Sequence, residues 1–156
     1  METFVLDANI VIKVWAERPQ IFDAIEQTSE LDYRVMNDVV LELLEKDGTE
    51  FFPEMSPRYQ QLMRHLVHSP GFLPEKPYKE NRFLSKQRDD IKVVIANKVS
   101  STDFLQVLLC QNNPEFMLVT EDTKVLKSAK RVLPESRVLD YKRFLDALAA
   151  RGVNGA

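Results

Sequence analysis

Apolar positions along the 156 residues follow two rhythms. Short unbroken runs alternate with stretches spaced at three and four residues, the first marking buried strands and the second amphipathic helices. Residues 3–7 read as a first strand, followed by helix from Ile10 to Ala16. Pro19 is suited to open a second helix with Ile21, Phe22 and Ile25 as its stripe. Tyr33–Met36 reads as a short strand, and Asn37 caps a helix to about Asp47 that Gly48 terminates. After Phe51-Phe52-Pro53, the spacing of Tyr59, Leu62, Met63 and Leu66 predicts another helix. Periodicity is lost over 69–82, where Pro70, Gly71, Pro74 and Pro77 predict a loop. It resumes in a predicted helix from Phe83 to Val99, with Ile91, Val94 and Ile95 inward.

Ser100-Ser101-Thr102 caps a helix that starts at Asp103, is apolar nearly all round, and ends at Asn112-Asn113-Pro114. A strand over 116–120, a helix from Thr123 to Arg131 and a short strand at Arg137–Leu139 follow. Asp140 caps a final helix with Tyr141, Phe144, Leu145 and Leu148 inward. The alternation predicts an α/β fold with a parallel sheet. The expected organisation is one domain over 1–150, a basic helical or loop insertion at about 53–99, and a frayed tail at 151–156.

Composition adds little to this until charge is mapped. Hydrophobic residues make up 44% and charged residues 29% of the chain, which is ordinary for a globular protein. No apolar run approaches the roughly 20 residues that span a bilayer, and the first residues do not read as a signal peptide. The single Cys110, in an apolar run, is expected to be a buried small hydrophobe in a reducing cytoplasm. The net charge of −3 conceals an asymmetry: residues 58–98 hold nine Lys/Arg against four Asp/Glu, leaving the remainder acidic. A basic middle section beside an acidic body suits an anion-binding arm next to a cation site; a solvated pair of charged helices has the same composition.

The candidate chemistry lies in the acids. Asp7 ends an apolar strand, where an unpaired charge is costly, and Asn9 can orient it. Asp122 ends a second strand beside Thr120 and Glu121, but also suits a helix cap. Asp103 opens a helix, where macrodipole complementarity alone accounts for an acid. Glu42 and Glu45 border the apolar arc of their helix, where a solvated face is the simpler reading. Together, these acids resemble the oxygen-donor set that a hard divalent cation requires.

In this order and context they resemble the PIN domain family of metal-dependent ribonucleases. Phe4-Val5-Leu6-Asp7-Ala8-Asn9 is similar to the family's opening motif. Val35–Leu43 is similar to its second segment, which brings in Glu42. Asp103-Phe104-Leu105 resembles the third acidic position, and Leu118-Val119-Thr120-Glu121-Asp122 the fourth. The resemblance covers most of 1–50 and 100–145 and leaves 51–99 unaligned; Glu45 is an alternative to Glu42, and Asp90 a possible extra acid. It implies a three-layer α/β/α fold around a parallel sheet of four or five strands. It also implies Asp7, Glu42, Asp103 and Asp122 as catalytic and metal-ligating residues for Mg²⁺ or Mn²⁺, with Asn9, Thr120 and Glu121 behind them. The implied activity is endonucleolytic RNA cleavage, by a toxin with an antitoxin partner, commonly as a homodimer, or by an RNA-processing factor. A scaffold that keeps the fold without activity is the alternative.

Phe72, Tyr78 and Phe83 interleave with Lys76, Lys79, Arg82, Lys86 and Arg88. The cations can neutralise phosphates while rings stack on unpaired bases, or the rings can instead dock the arm on the body. His65 and His68 stand three apart on a predicted helix face, with no third ligand in sight. Trp15 is expected in the core or at a dimer contact.

Overall fold

The computed structural model describes residues 1–47, 56–70 and 100–153. Its centre is a five-stranded, wholly parallel sheet in the order β3-β2-β1-β4-β5. These strands are β1 (Glu2–Leu6), β2 (Leu31–Met36), β3 (Leu66–Val67), β4 (Phe116–Val119) and β5 (Val138–Leu139). Helices flank the sheet in a three-layer α/β/α arrangement: α1 (Ala8–Glu17), α2 (Gln20–Glu26), α3 (Asn37–Asp47), α4 (Pro57–Met63), α5 (Ser101–Asn112), α6 (Thr123–Val132) and α7 (Tyr141–Ala150).

Strand β1 lies in the middle, pairing with β2 through Phe4↔Tyr33 and with β4 through Val5↔Leu118. Phe4, Val5 and Leu6 are completely buried, as expected for a strand enclosed on both faces. Phe4 meets Phe144 of α7 edge-on, with ring centroids 5.1 Å apart, and Tyr33 stacks on Phe22 of α2 at 4.6 Å. The chain runs outward from β1 to β2 and β3, then returns to place β4 and β5 on the other side. That reversal makes a topological switch point between the C-terminal ends of β1 and β4, where open α/β sheets form their binding crevices.

Helix starts are set by short polar side chains. Asp7 accepts from the Ala8 N–H at 2.8 Å, Ser100 from Asp103 at 3.1 Å, Asp122 from Lys124 at 2.9 Å, and Asp140 from Arg143 at 2.8 Å. Such caps are worth about 1 kcal/mol each. Arg137 closes the turn between α5 and β4 by donating to the carbonyls of Cys110, Asn113 and Phe116. Cys110 is buried and free, and its surroundings push the thiol up to about 12.

Three expectations change. The helix carrying Tyr59 and Leu62 ends at Met63, so Leu66 lies in β3 and Met63 is exposed. His65 consequently leaves the helix. Its ring stacks on Tyr33 at 3.8 Å, and its nitrogens face Asp32 Oδ1 and Glu26 Oε2, each at 2.9 Å. The His65 carbonyl accepts from Val35 N–H at 3.0 Å, pairing this segment to the sheet instead of continuing the helix. The tail expected to fray at 151–156 is anchored over its first half. Gly152, at φ +83°, donates to the Ala149 carbonyl and Val153 to that of Leu148, at 3.0 and 2.8 Å. This is a Schellman cap. It buries Val153, while Arg151 pairs with Glu2. The insertion at about 53–99 is described only at 56–70, and Gly48, the helix predicted over Phe83–Val99 and residues 154–156 lie outside the described residues. Among the described residues no helix is long and apolar enough to cross a membrane.

Candidate metal centre

Asp7 occupies the turn between β1 and α1, at the switch point, and is 5% exposed. Four groups donate to its carboxylate. Oδ1 accepts from the Ala8 N–H at 2.8 Å and the Gln106 amide at 3.1 Å. Oδ2 accepts from the Thr120 hydroxyl at 2.7 Å and the Asn9 amide at 3.4 Å. A carboxylate removed from water needs such donors to stay ionised.

The donors tie Asp7 to two other acid-bearing segments. Gln106 lies one helical turn beyond Asp103 on α5. Thr120, itself fully buried, also accepts from the Asp122 N–H at 3.2 Å. Asn9 reaches the same loop, its Oδ1 accepting from the Glu121 N–H at 3.2 Å. The ends of β1 and β4 and the start of α5 therefore share one hydrogen-bonded web.

Asp103 is half-buried and reports the local electrostatics. Burial pushes its carboxyl up to about 6, and the negative charge of Asp7 adds to the effect. A hydrogen bond from Ser100 opposes the rise, while Asp122 and Glu42 add repulsion. Three acids from separate segments thus act on the Asp103 carboxyl. Glu42 is half-buried on α3, whereas Glu45 is exposed.

The other expected positions divide. Asp122 caps α6 with Oδ1, accepting from Lys124 and Val125 N–H at 2.9 and 3.3 Å. Glu121 turns to the start of α7, where Oε1 accepts from the Tyr141 N–H at 2.7 Å. Lys76, Lys79, Arg82, Lys86, Arg88 and Asp90 lie outside the described residues. His65 and His68 do not share a helix face. Trp15 is partly buried, edge-on to Tyr59 at 5.3 Å with the Arg58 guanidinium over its ring.

Gln106 escaped the sequence reading. One amide in an apolar helix gives no periodic signal; its place three residues after Asp103 was the available clue. It is completely buried, and its Oε1 has no hydrogen-bond partner among the described residues. An unsatisfied buried acceptor costs about 1–3 kcal/mol.

Among the described residues no group of three or more His, Cys, Asp or Glu side chains is placed to hold a metal ion. Carboxylate oxygens are donors of the kind a hard cation takes, and Mg²⁺ is commonly held by one or two carboxylates with water in its remaining positions.

No family model and no curated protein matches the chain. Among solved structures, it is similar to the crystal structure of PAE2754 from Pyrobaculum aerophilum, with a TM-score of 0.58 and 15% identity. The match covers 96% of this chain and 90% of that one. At this identity the likeness is one of fold.

Proposed function

We propose that this chain is a Mg²⁺- or Mn²⁺-dependent endoribonuclease of the PIN type, hydrolysing RNA phosphodiesters at the acids around Asp7 to leave 5′-phosphate and 3′-hydroxyl ends. The observation that supports this most is the web at the switch point. A buried Asp7 is gripped by Gln106, one turn from Asp103, and by Thr120, two residues from Asp122. Keeping a carboxylate buried among like charges has a ready purpose where a cation is to be bound.

In this reading Asp7 holds the ion, and Asp103, Asp122 and Glu42 reach it directly or through water. Asp122 can do so while Oδ1 caps α6, because a carboxylate has a second oxygen. Asn9 and Thr120 fix the direction of the Asp7 oxygens, and Glu121 steadies the α7 end of the loop. When bound, the divalent ion supplies an activated water and offsets charge on the phosphodiester. Lys76, Lys79, Arg82, Lys86 and Arg88 are assigned to the RNA backbone on charge. The biological role that follows is that of a toxin with an antitoxin partner and a homodimeric state, or of an RNA-processing factor.

The decisive experiment is cleavage of an RNA panel with Mg²⁺ and Mn²⁺, by the native chain and by Asp7→Asn. Metal-dependent products that vanish in the variant are expected. A second reading, a PIN-like scaffold for RNA or protein, is favoured by the lack of a ready three-ligand cage among the described residues. Absence of cleavage with every divalent ion would sustain it instead.

A further inference from the structure

The Gln106 amide commits one of its two polar atoms to Asp7 and leaves the other without a partner among the described residues. Nε2 donates to Asp7 Oδ1 at 3.1 Å, and this fixes the orientation of the group, since an ionised carboxylate only accepts. Oε1, the other polar atom of the same planar amide, is buried and has no donor among the described residues. It is completely buried in a helix whose neighbouring positions, Leu105 and Val107, are apolar. An apolar residue here would avoid both the desolvation of the amide and the orphaned acceptor. A buried carbonyl without a donor is costly, and on an amide already bonded to one of several carboxylates the donor most readily drawn in is water in the shell of a cation.

We propose that Gln106 is a positioning residue for a hydrated divalent cation: its N–H fixes Asp7, and its carbonyl accepts from one of the cation's waters. This rests on the cation-site reading above and assigns it a residue outside the four acids. The amide contributes without adding another negative charge to a pocket already crowded with them. It also couples Asp7 to the face of α5 that carries Asp103, one turn away.

The test is a Mn²⁺ titration of the full chain by calorimetry, paired with thermal unfolding in the absence of metal, for the native protein, Gln106→Leu and the near-isosteric Gln106→Met. Circular dichroism confirms that each variant is folded. The expected result is an affinity for Mn²⁺ lower by about 10-fold in both variants, with a metal-free melting temperature unchanged or raised. If both variants melt lower without metal yet bind Mn²⁺ like the native chain, Gln106 is a packing residue and the inference is overturned. If the native chain itself takes up no Mn²⁺, the cation site fails and Gln106's role fails with it. The two failures are told apart by the native titration alone.

Discussion

Two polar clusters sit on this sheet, and they treat charge in opposite ways. Around His65, beside β2 and β3, each acid faces a donor. Glu26 meets Tyr33, His65 and Arg64, and Asp32 meets Arg34 and His65. Burial pushes the Glu26 carboxyl up, but hydrogen bonds from Tyr33, His65, Gln61 and Arg64 outweigh this and hold it below the ordinary range. Around Asp7 the web closes on one carboxylate, while burial, joined by repulsion from Asp7, Asp122 and Glu42, lifts Asp103 to about 6. The first cluster is complete within the folded chain and reads as structure. The second keeps like charges together and an amide oxygen without a partner among the described residues, a condition that a ligand would relieve.

Substitutions can break this contrast at either end. The largest effect is expected from Asp122→Asn, which keeps an oxygen to cap α6 but lacks the charge. RNA cleavage should fall by at least about 100-fold, with the melting temperature nearly unchanged. Full activity with metal bound would remove Asp122 from the site.

His65→Leu should do the reverse. Losing the stacked ring and leaving Glu26 and Asp32 short of a donor should cost about 2 kcal/mol in denaturant unfolding while leaving Mn²⁺ affinity unchanged. A shift in that affinity would show the clusters to be coupled.

The pH dependence sharpens the difference because the linkage signs are opposed. Asp103 has a folded-state pKa of about 6 against an ordinary 3.8, so the folded chain binds its proton more tightly than the unfolded one. The resulting stability is fully present below 3.8 and is lost as pH rises through about 6. Metal-free Asp103→Asn should therefore be more stable than the native chain at pH 8, by about 1 kcal/mol after allowing for solvent screening. The gap should close as pH falls towards 4, and Mn²⁺ should abolish it. Glu26, with a lowered pKa, contributes stability at neutral pH that is lost as acid protonates it. The smallest effects separate two neighbours on α3: Glu42→Gln should weaken Mn²⁺ binding several-fold, and Glu45→Gln should leave it within about twofold.

Much of this architecture is legible in the residues because most elements obey one signal. The continuous apolar runs of β1 and β4 are readable because both faces of a central parallel strand are buried. The starts of α5, α6 and α7 are readable because Ser100, Asp122 and Asp140 are good caps. Strand β3 is not readable. Leu66 fits a helical stripe, and only pairing with β2 and the stacking of His65 on Tyr33 turn the segment into the sheet. That outcome depends on residues more than thirty positions away, beyond any local window. At the candidate site, the acids at strand ends and Asn9's proximity to Asp7 are visible in order and spacing. The Gln106 contact, which spans 99 positions, is not. Nor is the use of Glu121 to start α7, since a carboxylate's partner is chosen by the fold and not by its neighbours in sequence.

The pairing of β1 with β4 also sets when the web around Asp7 can come into being. The Thr120 hydroxyl that grips Asp7 is made 113 positions after it. Until β4 slots in beside β1, a growing polypeptide has an aspartate in solvent and no enclosed cluster of acids. A product truncated before β4 would carry the opening motif without the grip on Asp7, so the web at the switch point forms only once β4 has been made.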